Sequence, residues 1–311
     1  MLRRMMLAVS ASDQIQKFVT RAPVARDVVA RFVAGATQDD ALAVTEALRE
    51  RGLLVTLDYL GEHTADPERA AAVADEYISL LERLTAAGHT RGGAAEVSVK
   101  PTAVGLGLAE HGETTARENI AKIATAARAA GTTVTLDMEE HDRVDQVLRI
   151  QADLRGEFPD LGCVIQSYLR RSESDCAALA AASARVRLCK GAYDADGDVA
   201  FTDRREVDRS YVRCLRRLLD GPGYPMLATH DPRLIEIAGA QAILAGRPAD
   251  RFEYQMLYGI RPAEQRRLAA SGARVRIYLP YGSDWYGYLT RRLAERPANL
   301  TFFLRSLTSG R

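Results

Sequence analysis

The chain has 311 residues, 47% of them hydrophobic, with 42 basic residues against 41 acidic and a net charge of +1. That length and apolar share suit a closed α/β barrel with an extra helix or two. The near-balance of charge excludes broad electrostatic binding to nucleic acid and leaves any charged function to local sites.

The chain opens with "MLRRMMLAVSAS", whose two arginines and small residues imitate a secretory signal. Its apolar core is only about six residues, shorter than a signal peptide needs, and the polar "DQIQK" follows. Residues 1–50 are expected to be a helical lead-in, and 51–311 one catalytic barrel domain. No stretch approaches the length of a membrane-spanning helix.

One phrase then repeats: a short β-branched run, a polar residue, a Gly/Pro/Asp turn and an Ala/Leu/Arg-rich helix. The strand runs are LLVTLDYL (53–60), AEVSVKPT (95–102), TTVTLDME (132–139) and CVIQSYL (163–169). VRLCKGAY (186–193), YPMLATH (224–230), RFEYQMLYG (251–259) and RVRIYLPYG (274–282) complete the set. Helices are expected at 67–87, 114–130, 173–183, 203–219, 232–245, 263–270 and 284–296. Asp66-Pro67, Glu113-Thr114 and Asp231-Pro232 read as helix starts. Eight such units predict a (β/α)8 barrel with extra N-terminal helices, and a doubly wound open sheet is the alternative.

Barrel chemistry sits at the C-terminal strand ends. Those ends carry Asp58, Lys100, Asp137, Gln166, Arg187 with Lys190, Thr229 with His230, Gln255 and Tyr278. Lys100 can reach either Asp58 or Asp137, as a structural ion pair or as a charge network under a pocket. Arg187 lies among apolar residues and needs a planar acceptor. Gly191 and Ala192 let the backbone approach something flat. His230 is either a core histidine bonded to backbone or a contact for a pyrophosphate at a helix start.

The five histidines show no H-x-x-x-H spacing, which argues against a catalytic metal. "GLGLAEHG" lacks a dinucleotide fingerprint and reads as a loop. Cys163, Cys176, Cys189 and Cys214 form no C-x-x-C pair and read as small buried hydrophobes in a reducing compartment.

The last expected helix, "DWYGYLTRRLAERPAN", sets Arg291 and Arg292 side by side. Asp284 can cap it and Pro297 ends it. Tyr288, Arg291, Arg292 and Glu295 fall within helical contact distance, beside Trp285 and Tyr286. Two guanidiniums against aromatic walls match one carboxylate on an otherwise apolar molecule.

The ordered motifs "LDYLGE", "VSVK", "LDMEE", "VIQSYL", "VRLCKGAY", "ATHD", "FEYQMLYG" and "YLPYG…W…Y..RR..E.P.N" resemble proline dehydrogenase in its monofunctional bacterial form. The resemblance implies a distorted (β/α)8 barrel that holds FAD non-covalently. It implies oxidation of L-proline to Δ1-pyrroline-5-carboxylate, with electrons passed to a membrane quinone. Arg291, Arg292 and Lys100 would bind the substrate, with Leu257, Tyr278 and Tyr288 walling its ring. Asp137 and Arg187 match the active-site acid and the arginine near flavin N5. Met138, Gln166, Lys190, Gly191, Ala192, Thr229 and His230 match FAD contacts, and Glu62 matches a glutamate closing onto the first arginine. Cys189 departs from a more usual aliphatic residue. The expected setting is cytoplasmic, with peripheral contact at the inner face of the cell membrane and a separate pyrroline-5-carboxylate dehydrogenase for the product. Against this stand a flavin-free lyase using Lys100 or Lys190 as a Schiff-base nucleophile, and a catalytically silent amino-acid binder.

Overall fold

Strands as apolar as these must be covered on both faces, and a ring of parallel strands under helices achieves that. A computed structural model describes residues 29–289. Its strands are β1 (Leu54–Tyr59), β2 (Ala95–Val99), β3 (Val134–Leu136) and β4 (Gly162–Gln166). They continue as β5 (Arg185–Cys189), β6 (Tyr224–Ala228), β7 (Glu253–Leu257) and β8 (Val275–Tyr281). Each strand pairs with the next, and β8 closes on β1 in parallel, with Leu54 opposite Arg276 and Asp58 opposite Pro280. The barrel, not the open sheet, is the fold.

The helices are α1 (Gln38–Arg49), α2 (Pro67–Ala86), α3 (Gly112–Ala129) and α4 (Val144–Arg155). They are followed by α5 (Ser172–Ala181), α6 (Arg204–Asp220), α7 (Pro232–Leu244) and α8 (Pro262–Ala270). Asp66 and Asp231 cap α2 and α7 as expected, accepting from Glu68 N at 3.0 Å and Arg233 N at 3.1 Å, each with proline at the first helical position. Glu113 does not cap α3. His111 holds the N-cap place at φ +56°, and Glu113 lies in the first turn, paired with Arg149 at 2.9 Å. Helix α4 lies between β3 and β4 and completes the strand–helix alternation there, outside the helical ranges expected above. "GLGLAEHG" (105–112) is expected as a loop, but its first two residues close a buried helical turn over Thr102–Leu106, with Gly105 at φ +119° close against Thr115.

Alternation sorts the strand residues into two populations. Val55, Leu57, Val97, Val99, Leu136, Ile165, Leu188, Ile277 and Leu279 are buried in the main core cluster, beneath the helices. The alternate positions carry Asp58, Glu96, Ser98, Arg187, Glu253, Gln255, Arg276 and Tyr278. Bonds such as Arg187 to Ser98 and Arg185 to Glu96 join strands that are not neighbours in the ring, so these side chains meet inside it. Barrels of this class are usually filled with Val, Ile and Leu. Here a polar network occupies the interior.

A second apolar cluster sits apart, made by Phe32, Val33, Leu60, Tyr286, Tyr288 and Leu289, with Tyr278 and Trp285 packed on it. Backbone bonds tie its N-terminal part to β8: Ala34 N to Pro280 O and Gly282 N to Gly35 O, each at 2.9 Å. The approach is close enough at Gly259 (φ +74°) that a Cβ there would fall 1.7 Å from Arg31 O. Residues 31–35 therefore lie over the ends of β7 and β8. All four cysteines are free thiols, three buried and Cys189 partly so. Among the described residues, no helix is long and apolar enough to cross a membrane.

Candidate active site

The polar strand ends converge as the repeat pattern implies, but they pair more selectively than the sequence could tell. Lys100, just past the end of β2, meets Asp58 on β1 at 2.5 Å, with both side chains closed to solvent. Asp137 is taken instead by Arg187 at 2.6 Å. Of the two carboxylates open to Lys100, the bond goes to Asp58. Burial pushes Asp58 up to about 6 against the pull of Lys100. Desolvation alone would lower Lys100, but Asp58 and Asp137 outweigh it and hold its pKa above the ordinary lysine value. A lysine held charged in this way is a poor Schiff-base nucleophile, which counts against the lyase alternative.

Asp137 is the hub of the second group. Its Oδ1 accepts from Arg187 Nη1 at 2.6 Å and from Ser98 Oγ at 2.8 Å, and its Oδ2 accepts from the Tyr278 hydroxyl at 2.7 Å. The Arg187 guanidinium also lies 5.3 Å from the centre of the Tyr278 ring. Burial, then the Asp137 and Asp58 charges, raises the Tyr278 phenol well above its usual value, so it stays a donor. Arg187 Nε donates to Gln255 Oε1 at 2.5 Å. The planar acceptor that Arg187 needs is thus divided between a carboxylate and an amide. Ser98 and Gln255 complete this network. Ser98 was not singled out in the sequence because a serine inside an apolar strand carries no signal until the barrel closes.

On β4, Gln166 Nε2 donates to Glu139 O at 2.7 Å. Glu139 in turn accepts from Thr102 N at 3.0 Å and Thr102 Oγ1 at 2.5 Å. Burial raises its carboxyl to about 7, even though both Thr102 bonds pull the other way. Met138, between Asp137 and Glu139, is buried as well. Glu62 lies near enough for its charge to raise both Lys100 and Glu139.

The residues expected around a cofactor are placed as follows. Lys190 bridges Asp208 at 2.6 Å and Asp231 at 3.1 Å. Gly191, at φ +105°, backs onto the Tyr168 ring, where a Cβ would fall 2.1 Å from the ring carbon. Among the described residues, that ring is the flat group its backbone meets. Ala192 follows it. Thr229 Oγ1 accepts from Asp231 N at 3.2 Å, closing the turn into α7. His230 Nε2 accepts from Leu257 N at 2.9 Å, and its carbonyl accepts from Arg261 at 2.7 Å. An imidazole nitrogen that accepts from an amide carries no proton there, so the backbone-bonded reading of His230 holds for Nε2. A hollow of about 420 Å³ opens between α6 and α7, lined by Asp208, Arg209, Val212 and Leu234 among others.

Tyr278 and Tyr288 come together in the second apolar cluster. Asp284 precedes the helical turn at 285–289, and its carboxylate meets Arg69 at 2.9 Å. Arg291, Arg292, Glu295 and Pro297 lie outside the described residues.

Among the described residues, Gln166 Oε1, an acceptor, and Arg187 Nη2, a donor, are buried at this site without a hydrogen-bond partner, as is Asp58 Oδ2. Gln166 and Arg187 stand on the inner face of adjacent strands. Orphaned buried groups are costly unless a ligand answers them. An acceptor and a cationic donor two residues apart in register on one inner face match the polar edge of an isoalloxazine ring, so the residues present fit a flavin.

The comparisons agree. The family model described as proline dehydrogenase matches residues 41–305. The chain is 39% identical to "Proline dehydrogenase" of Deinococcus radiodurans, over 99% of this chain and 98% of that one. It is 38% identical to "Proline dehydrogenase 1" of Bacillus subtilis, over 99% of each. Among solved structures, proline utilization A (PutA) from Bdellovibrio bacteriovorus, inactivated by N-propargylglycine, superposes with a TM-score of 0.81 at 26% identity. That match covers 87% of this chain but 33% of the longer protein. The chain therefore belongs to the proline dehydrogenase family in its monofunctional bacterial form, flavin-dependent oxidoreductases that oxidise proline in the first step of its catabolism.

Proposed function

We propose that the flavin is FAD, that proline is held by the residues named from the sequence, and that a membrane quinone takes the electrons. The observation that carries the cofactor reading is the orphaned pair, Gln166 Oε1 and Arg187 Nη2, inside a closed barrel. Met138, Gln166, Lys190, Gly191, Ala192, Thr229 and His230 would hold the cofactor, and the hollow between α6 and α7, beside the Lys190–Asp208 pair, suits its adenine end. When bound, the flavin supplies a hydride acceptor at N5 for the ring carbon next to the proline nitrogen.

The chain's own residues supply charge, shape and exclusion of water. Arg187 brings a fixed positive charge to the reacting edge, where it favours the electron-rich reduced state. Asp137 holds that guanidinium and is itself filled by Ser98 and Tyr278, so little reorganisation accompanies the transfer. Lys100, kept charged by Asp58, faces the substrate carboxylate together with Arg291 and Arg292. Leu257, Tyr278 and Tyr288 wall the apolar ring, and Glu62 closes over the first arginine. Such positioning turns binding of the carboxylate into alignment of one C–H bond.

We place the reaction in residues 51–311, with 1–50 as lead-in, in the cytoplasm at the inner membrane face. The product would pass to a separate pyrroline-5-carboxylate dehydrogenase. Purification followed by heat release and mass analysis of the bound chromophore tests the cofactor assignment. FAD is expected in near-equal molar amount with the protein. FMN, or no flavin, would overturn it.

A further inference from the structure

The floor of the barrel carries charges that the proposed reaction does not use. Glu96, Glu253 and Arg276 are buried there on β2, β7 and β8. Arg276 grips Glu253 with two N–H groups, Nε to Oε1 at 2.7 Å and Nη2 to Oε2 at 3.1 Å. Arg185 holds Glu96 at 2.8 Å, and Arg276 Nε lies 3.7 Å from Glu96. Two guanidiniums thus balance two carboxylates. Burial alone would raise the Glu253 carboxyl, but Arg276 overrides it and holds it down at about 2.

An ionised carboxylate can only accept hydrogen bonds. Gln255, two residues along the same face of β7, therefore turns its amide nitrogen toward Glu253, donating to Oε1 at 2.6 Å. The two ends of a glutamine amide are nearly identical in shape, so an ionised neighbour decides which way it points. With the nitrogen facing the floor, Gln255 Oε1 faces the mouth and accepts from Arg187 Nε at 2.5 Å. Arg187 Nη1 is fixed on the other side by Asp137 and Ser98. Bonds at Nε and Nη1 together set the plane of the guanidinium, and with it the direction of the orphaned Nη2. A reversed amide would set two donors against each other, and Arg187 would have to swing away.

We infer that Gln255, oriented by Glu253, is a positioning residue that aims Arg187 Nη2 at the reacting edge of the cofactor. This rests on the reading of Arg187 as the flavin-facing cation. The chain Arg276–Glu253–Gln255–Arg187–Asp137 carries the orientation from the barrel floor to its mouth, and its links are side chains on strands or, for Asp137, just past the end of β3, where positions are best defined.

The test compares flavin-loaded wild type with Gln255→Leu, Arg187→Lys and the double variant, measuring the two-electron potential of the bound flavin, kcat and KM for L-proline. Gln255→Leu is expected to move the potential to a more negative value and lower kcat about tenfold, with KM changed by less than about twofold. In the Arg187→Lys background the same change should add nothing, because lysine has no planar fork to aim. If Gln255→Leu does not fold, Gln255→Asn, which draws the carbonyl back by one carbon, gives the same readouts. A lower melting temperature with unchanged potential and kcat, or full additivity with Arg187→Lys, would overturn the positioning role and leave the flavin reading intact. A wild type that binds no flavin would overturn the reading of Arg187 and this inference with it.

Discussion

Lys100 Nζ and Asp58 Oδ1 stand 2.5 Å apart at the end of the barrel, joined across β1 and β2 with neither side chain open to water. Buried pairs of this kind add little net stability over a well-packed apolar pair, yet breaking one side leaves a bare charge. Lys100→Met is therefore expected to lower stability by about 3–5 kcal/mol. Asp58→Asn in the same chain should restore much of that loss. Denaturant unfolding of the two variants checks this, and equal destabilisation of the single and double variants would contradict it.

Glu139 gives the fold a pH dependence of defined sign. Burial raises its folded carboxyl to about 7 from the ordinary 4.5. Between those values the native state binds more protons than the unfolded chain, so this group makes stability fall as pH rises through that window. Above it, the contribution is a constant penalty. Glu139→Gln should flatten the slope of unfolding free energy against pH between about 4.5 and 7. An unchanged slope would mean that Glu139 is ionised throughout.

Tyr278→Phe removes the hydroxyl that Asp137 Oδ2 accepts at 2.7 Å while keeping the ring over Arg187. A hydrogen bond to a charged group is worth about 1.5–3 kcal/mol, so kcat/KM should fall by about tenfold to a hundredfold. Wild-type turnover in the variant would reduce Tyr278 to a packing residue.

Arg292→Ala should raise KM for L-proline, because about 1.5–3 kcal/mol of charged hydrogen bonding to the carboxylate is lost. A proline analogue lacking the carboxylate should be insensitive to the substitution. An unchanged KM for proline would remove the clamp from the account.

How much of this was legible in the sequence follows from what each feature depends on. Strands and most helices are local, so runs such as RVRIYLPYG and starts such as Asp66-Pro67 could be read directly. The residues at the strand ends could be named because the barrel repeat tells which positions converge. Their partners could not. Lys100 chooses Asp58 over Asp137 through the geometry of closure, and Arg187 finds Gln255 from 68 positions away. Glu96, Glu253 and Arg276 were overlooked because charges inside a strand run read as interruptions until register places them on one inner face. Glu113 resembled a cap by composition, but the left-handed His111 starts the helix earlier. Gly191 is legible as a point of close approach, yet Tyr168 as its neighbour comes only from the folded chain.

The central claim is that a flavin inside this barrel takes electrons from proline. The most direct measurement is the visible spectrum of the purified protein as L-proline is added without oxygen. Yellow protein is expected, its visible flavin band bleached by L-proline and restored when a quinone is added. A flavin band that ignores L-proline, or a colourless protein that cannot be loaded with flavin, would contradict it.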